Sequence, residues 1–86
     1  MTMTFNQFRM VLLNEDSSIK EIIYTSDEYN TERELDEALY QYILKANSIY
    51  NFTDWENVLP LEIQCKDKFD NEWYYTDDPV DYFYNL

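Results

Sequence analysis

The chain has 86 residues, and its 18 Asp and Glu against 6 Lys and Arg give a net charge of −12, with room for one small domain over residues 1–86. It has no His, no Gly and a single Cys, which excludes His-based triads, Gly-rich phosphate loops, internal disulfides and cysteine-cluster metal sites. Its charge repels nucleic acid and anionic membrane, so basic protein surfaces or cations are the natural partners.

The chain is built to fold. Leu, Ile, Val and Phe make up roughly a quarter of it, more than a disordered acidic chain carries. Nine Tyr, five Phe and two Trp add large contacts. Phe8–Leu13 and Ile19–Thr25 flank the polar stretch Asn14–Ser18 and read as a β-hairpin. A helix is the competing reading of residues 4–13, because Thr4 and Gln7 have capping-box spacing and Phe5, Phe8 and Leu12 fall at helical steps. The strand reading is preferred.

Residues 31–50 read as a helix. Asn30 or Thr31 can cap it, and Thr31 with Glu34 has the spacing of a capping box. Leu35, Leu39, Tyr42, Ala46 and Ile49 form its expected buried stripe. Residues 51–60 connect, with one helical turn expected around Trp55. Leu61–Lys66 then alternates as a half-buried strand, Asp67–Asn71 turns, and Glu72–Thr76 returns as another strand. Asp78 followed by Pro79 opens a short helix over Val80–Leu86. The expected fold is α+β: an antiparallel sheet of about four strands (ββαββ) packed on one amphipathic helix, with a short C-terminal helix. Without Gly, both hairpin turns are expected to place Asn or Asp wherever φ is positive.

Two acidic clusters stand out. One holds Asp27, Glu28, Glu32, Glu34, Asp36 and Glu37; the other holds Asp67, Asp70, Glu72, Asp77, Asp78 and Asp81. Carboxylates four apart on a helix lie about 5–6 Å apart, and same-face strand neighbours lie about 6.6–6.8 Å apart. Both spacings resemble that of successive phosphates along a nucleic-acid strand. Solubility alone can explain an acidic run, but like charges four apart on a helix cost a few tenths of a kcal/mol each. A basic partner that covers them explains the excess better. Trp73, Tyr74, Tyr75, Tyr82, Phe83 and Tyr84 fall within twelve residues, and alternation sends Trp73 and Tyr75 to the face opposite Tyr74. Most of these rings pack in the core, leaving Tyr40, Tyr75 and Trp55 as anchors at an interface.

The segment Asp67–Glu72 offers oxygen ligands but lacks the Gly and spacing of a calcium loop, so no metal or cofactor is expected. Catalysis would have to rest on carboxylates, Tyr, Ser and Cys65 in a chain too small for an ordinary pocket, so no enzyme is expected. Cys65 reads as a small packed hydrophobe.

Small, Gly-free, strongly acidic and aromatic-rich, the chain resembles phage-encoded and mobile-element inhibitors of host defence: anti-restriction and anti-CRISPR proteins and uracil-DNA glycosylase inhibitors. Acidic immunity proteins that neutralise nuclease toxins share the same physics. The resemblance implies a stoichiometric inhibitor that mimics nucleic acid in the host cytoplasm, as a monomer or small homo-oligomer, by covering the basic surface of a nuclease or CRISPR effector. The expected contact residues are Asp27, Glu28, Glu32, Asp36, Glu37, Tyr40, Trp55, Asp70, Glu72, Tyr75, Asp77, Asp78 and Asp81. A nuclease immunity protein or antitoxin, and a phage structural or assembly subunit, are the alternatives.

Overall fold

Hydrophobic alternation and helical periodicity set the elements. In the computed structural model, which describes residues 4–52 and 60–85, these are β1 (Phe5–Leu13), β2 (Ile19–Thr25), α1 (Glu32–Tyr50), β3 (Leu61–Asp67), β4 (Trp73–Asp77) and α2 (Pro79–Tyr84). The four strands form one antiparallel sheet in the order β2-β1-β3-β4. The order of elements is the expected ββαββ with a short C-terminal helix. The helical alternative for residues 4–13 fails: the segment is strand from Phe5, three residues earlier than the alternating run suggests. Register explains the extension, since Phe5 pairs with Asp67 and Phe8 with Cys65 on β3.

The sheet face toward α1 is apolar. Phe8 and Met10 from β1 meet Leu61, Ile63 and Cys65 from β3, and Leu35, Leu39, Ile43 and Ala46 from α1 close over them with Phe52. Burying one such side chain contributes about 1.5–3 kcal/mol. The stripe on α1 differs from the expected one: Ile43 is fully buried, Tyr42 is half-buried and Ile49 is 71 % exposed. Four-residue steps from Leu35 through Leu39 to Ile43 are what the sheet selects. Tyr42 leans instead toward the β2 side, its ring stacked on Tyr24 at 4.3 Å and tilted against Phe8 at 5.7 Å. Burial there pushes the Tyr42 hydroxyl up to about 12.

The caps follow local chemistry. Thr31 accepts the Glu34 N–H at 3.2 Å and donates its hydroxyl to the Glu34 carboxylate. Asn51, left-handed at φ 50°, ends α1 by donating its N–H to the Asn47 carbonyl. Asp78 caps α2 by accepting the Asp81 N–H at 3.0 Å, with Pro79 next. The second hairpin turn uses Asn71 at φ 59°, as expected for a chain without Gly. The first hairpin does not: its left-handed residue is Ser17, at φ 71°. Asp16 takes the neighbouring role, its carboxylate accepting the Ser18 N–H at 3.0 Å. This Asx-type bond leaves the positive φ to the next residue.

Candidate partner-binding surface

The C-terminal end of β4 turns a corner into α2, and a bulge shapes it. Ile63 pairs with Asp77 and Gln64 with Tyr75, so Thr76 is the extra residue. Thr76 donates its hydroxyl to the Ile63 carbonyl at 3.2 Å and accepts the Tyr82 hydroxyl at 3.0 Å, which ties β3, β4 and α2 together. The carboxylates of Asp77, Asp78 and Asp81 are thereby brought within 4.8 Å of one another. A hydrogen bond shared with Asp77, and then the charge of Asp78, hold Asp81 above the ordinary carboxylate range.

The first half of α1 borders this corner. Tyr40 is 36 % exposed and meets Tyr82 edge-on at 6.2 Å. Asp36 sits one turn earlier; partial desolvation, and then the charge of Glu32, raise its pKa. Burial raises the Tyr82 hydroxyl in turn, with Asp77 and Asp36 both acting on it. Tyr75 is 61 % exposed, and its hydroxyl is pushed up by desolvation and then by Asp77, Asp78, Asp81 and Glu62. Residues far apart in sequence thus meet the Asp77–Asp78–Asp81 corner from the two sides of the sheet: Asp36 and Tyr40 from α1 through Tyr82, and Tyr75 with Glu62 from the face turned away from α1.

Three of the six basic side chains are engaged elsewhere. Among the described residues the one ion pair is Lys66 Nζ to Glu28 Oε1 at 3.1 Å, at the opposite end of the sheet. Arg9 lies over the Trp73 ring at 4.3 Å and donates Nε to Gln64 at 2.8 Å. Lys68 stands 6.0 Å from the Phe69 ring. No Lys or Arg pairs with the corner carboxylates among the described residues.

The acidic cluster after Cys65 is therefore not one patch. Four residue steps along β4 cover about 14 Å, which separates the Asp77–Asp81 corner from the turn holding Asp67, Asp70 and Glu72. Asp67 is structural. Its carboxylate accepts the N–H groups of Thr4, Phe69 and Asp70, which hold it below the usual range, and it is 5 % exposed. Asp70 accepts the Glu72 N–H and the Tyr74 hydroxyl, and the latter bond is the first cause raising the Tyr74 hydroxyl to about 12. Asp27 follows β2 beside the buried Ser26, and Glu28 is occupied by Lys66. Glu32 and Glu37 are exposed on α1. Trp55, with the helical turn expected around it, lies outside the described residues, as does Leu86 at the end of the expected C-terminal helix.

Tyr82 and Glu62 join the region without having been picked from sequence. Glu62 was legible, because alternation puts it opposite Leu61 and Ile63. Tyr82 was hidden because its position depends on the Thr76 bulge. Asp77, Asp78 and Asp81 are the described carboxylates grouped closely enough to share a cation, but Asp78 already caps α2 and Asp77 accepts the Asp78 N–H. A cleft of about 230 Å³ between Tyr50, Phe52, Leu61 and Val80 has Asp78 on its wall. A second hollow, of about 380 Å³, lies between Tyr24 and the Ala38–Ile49 side of α1. No helix among the described residues is long and apolar enough to cross a membrane. No family model, curated protein or solved structure matches the chain.

Proposed function

We propose that the chain is a stoichiometric protein inhibitor that covers the basic nucleic-acid-binding surface of a nuclease or CRISPR effector by presenting carboxylates where phosphates would sit. One observation carries this reading: Asp77, Asp78 and Asp81 stand close enough to repel, Asp36 acts on the same Tyr82 as Asp77, and no Lys or Arg pairs with these corner carboxylates among the described residues. A cationic partner relieves that repulsion, and steering by the −12 charge speeds encounter. Tyr40 and Tyr75 supply the apolar anchors that charge alone lacks.

The test is a cleavage assay on a panel of restriction nucleases and CRISPR effectors, with the chain added before nucleic acid. Equimolar chain should abolish cleavage by its target, and affinity should fall at least about tenfold between roughly 0.1 and 0.5 M NaCl as screening rises. Reversing the corner with Asp77→Lys and Asp81→Lys should remove inhibition, whereas Asp70→Lys and Glu72→Lys should cost far less. Inhibition insensitive to salt and to corner reversal would rule the mimic out.

A second reading, a structural or assembly subunit, is favoured by the apolar exposure of the edge strand β2. Ile19, Ile22 and Tyr24 are 40–50 % exposed there, next to the hollow along α1. Light scattering after size exclusion separates the two readings, since an assembly subunit self-associates and the inhibitor need not.

A further inference from the structure

The sheet face turned away from α1 carries a worked example of its own chemistry. Arg9 on β1, Gln64 on β3 and Tyr75 on β4 stand in register across three strands. Two residues before Tyr75, Trp73 points to the same face. The Arg9 guanidinium lies on that ring at 4.3 Å, and Gln64 accepts its Nε at 2.8 Å. A ring beneath and an oxygen acceptor at the edge are what a guanidinium needs, because it stacks flat and donates in its own plane.

Tyr75 repeats the arrangement with stronger acceptors. It is 61 % exposed, and no cation lies over it among the described residues. Where Trp73 has the neutral amide of Gln64 beside it, Tyr75 has Glu62, two residues from its register partner Gln64 on the same face of β3, and the Asp77–Asp78–Asp81 cluster where its own strand ends, and their charges act on it. Gln64 donates its amide to Glu62 Oε2, which ties that carboxylate to Tyr75's own register partner. Building on the function proposed above, we infer that Tyr75 is the floor of a guanidinium-binding subsite that takes an arginine of the basic partner in preference to a lysine. Arginine meets the ring and two carboxylate oxygens at once through its planar fork, whereas lysine brings one compact, strongly hydrated charge.

The probes are two fluorescent peptides of equal length, one bearing six arginines and the other six lysines, titrated against the full chain at low salt. The wild-type chain should bind the arginine peptide about tenfold more tightly, the gain from one stacked, bidentate guanidinium. Tyr75→Ala should bring the two affinities within about twofold by weakening only the arginine peptide, and Tyr75→Phe should keep the preference because the ring remains. Phe69→Ala, at a still more exposed ring in the turn before β4, should keep it too. Circular dichroism confirms that the variants are folded. Equal affinities in the wild-type chain, or a preference that survives Tyr75→Ala, would overturn the subsite while leaving the acidic-surface reading standing. If neither peptide binds, or if Asp77→Lys with Asp81→Lys changes neither affinity, the acidic-surface reading falls and the subsite falls with it.

Discussion

At the scale of single residues, the absence of Gly leaves a mark that can be measured. Ser17 holds φ 71° in the first turn, a conformation that costs a side-chain-bearing L-residue about 1–2 kcal/mol. Ser17→Gly should therefore raise stability by about 0.5–1 kcal/mol, after the greater freedom of Gly in the unfolded chain is deducted. A urea titration followed by circular dichroism checks this, and an unchanged midpoint would mean the turn is not strained. Asn71 was legible as a turn residue because its short amide tolerates the left-handed region; Ser17 was not, because the choice depended on which neighbour Asp16 would bond. Asp67 offers the complementary test. Its depressed pKa contributes stability that is fully present above the unfolded value near 3.8 and is lost as pH falls through the lower folded value. Asp67→Asn sets an amide NH₂ against backbone N–H groups and should lower the urea midpoint clearly at pH 7. The two urea midpoints should draw together as pH falls below 3.8 through the depressed folded value, and a constant gap would mean that the carboxylate charge is irrelevant.

At the scale of elements, α1 was legible in extent and cap but not in its exact buried line. Leu35 and Leu39 fit a line through Tyr42 and Ile49 about as well as one through Ile43, and only contact with β1 and β3 chooses. Ile43→Ala should cost about 2–5 kcal/mol through the cavity it leaves. Ile49→Ala, at a site 71 % exposed, should change stability by no more than about 0.5 kcal/mol. The reverse ranking in thermal melts would mean that α1 is rotated. The candidate surface was less legible than the helix for a related reason. Sequence proximity joined Asp70 and Glu72 to Asp77 and Asp81, whereas a five-residue strand holds them apart. Asp36 instead approaches Tyr82 and the corner through a contact between α1 and α2 that no local pattern announces. The alternation of β4 did place Trp73 and Tyr75 on one face, which is why the anchor Tyr75 could be picked from sequence and its neighbour Tyr82 could not.

At the scale of the whole molecule, the charge sets how the fold responds to pH and salt. Asp36 and Asp81 stand above the ordinary carboxylate value in the folded chain. Their contribution to stability is thus fully present below the unfolded value near 3.8 and is lost as pH rises through the folded values. Asp16 and Asp67 run the other way, supporting the fold above 3.8 and failing as pH falls through their depressed values. The two effects bracket a window: stability should climb as pH falls through the raised values of Asp36 and Asp81 toward 3.8, and drop again as pH falls below 3.8 through the depressed values of Asp16 and Asp67. Screening should mimic the first half of that climb, since the Debye length shrinks from about 10 Å at 0.1 M salt to about 3 Å at 1 M. Thermal melts at pH 7 should therefore move upward with NaCl, each 1 kcal/mol of relieved repulsion appearing as ~4–8 °C in a domain of this size. Asp77→Asn with Asp81→Asn should flatten the salt dependence at pH 7 more than Asp70→Asn with Glu72→Gln does, because no Lys or Arg pairs with the corner among the described residues and the turn carboxylate Asp70 is held by a backbone N–H and a hydroxyl. Equal flattening by both pairs would mean that the repulsion is spread over the whole surface, leaving a basic partner no particular place to bind.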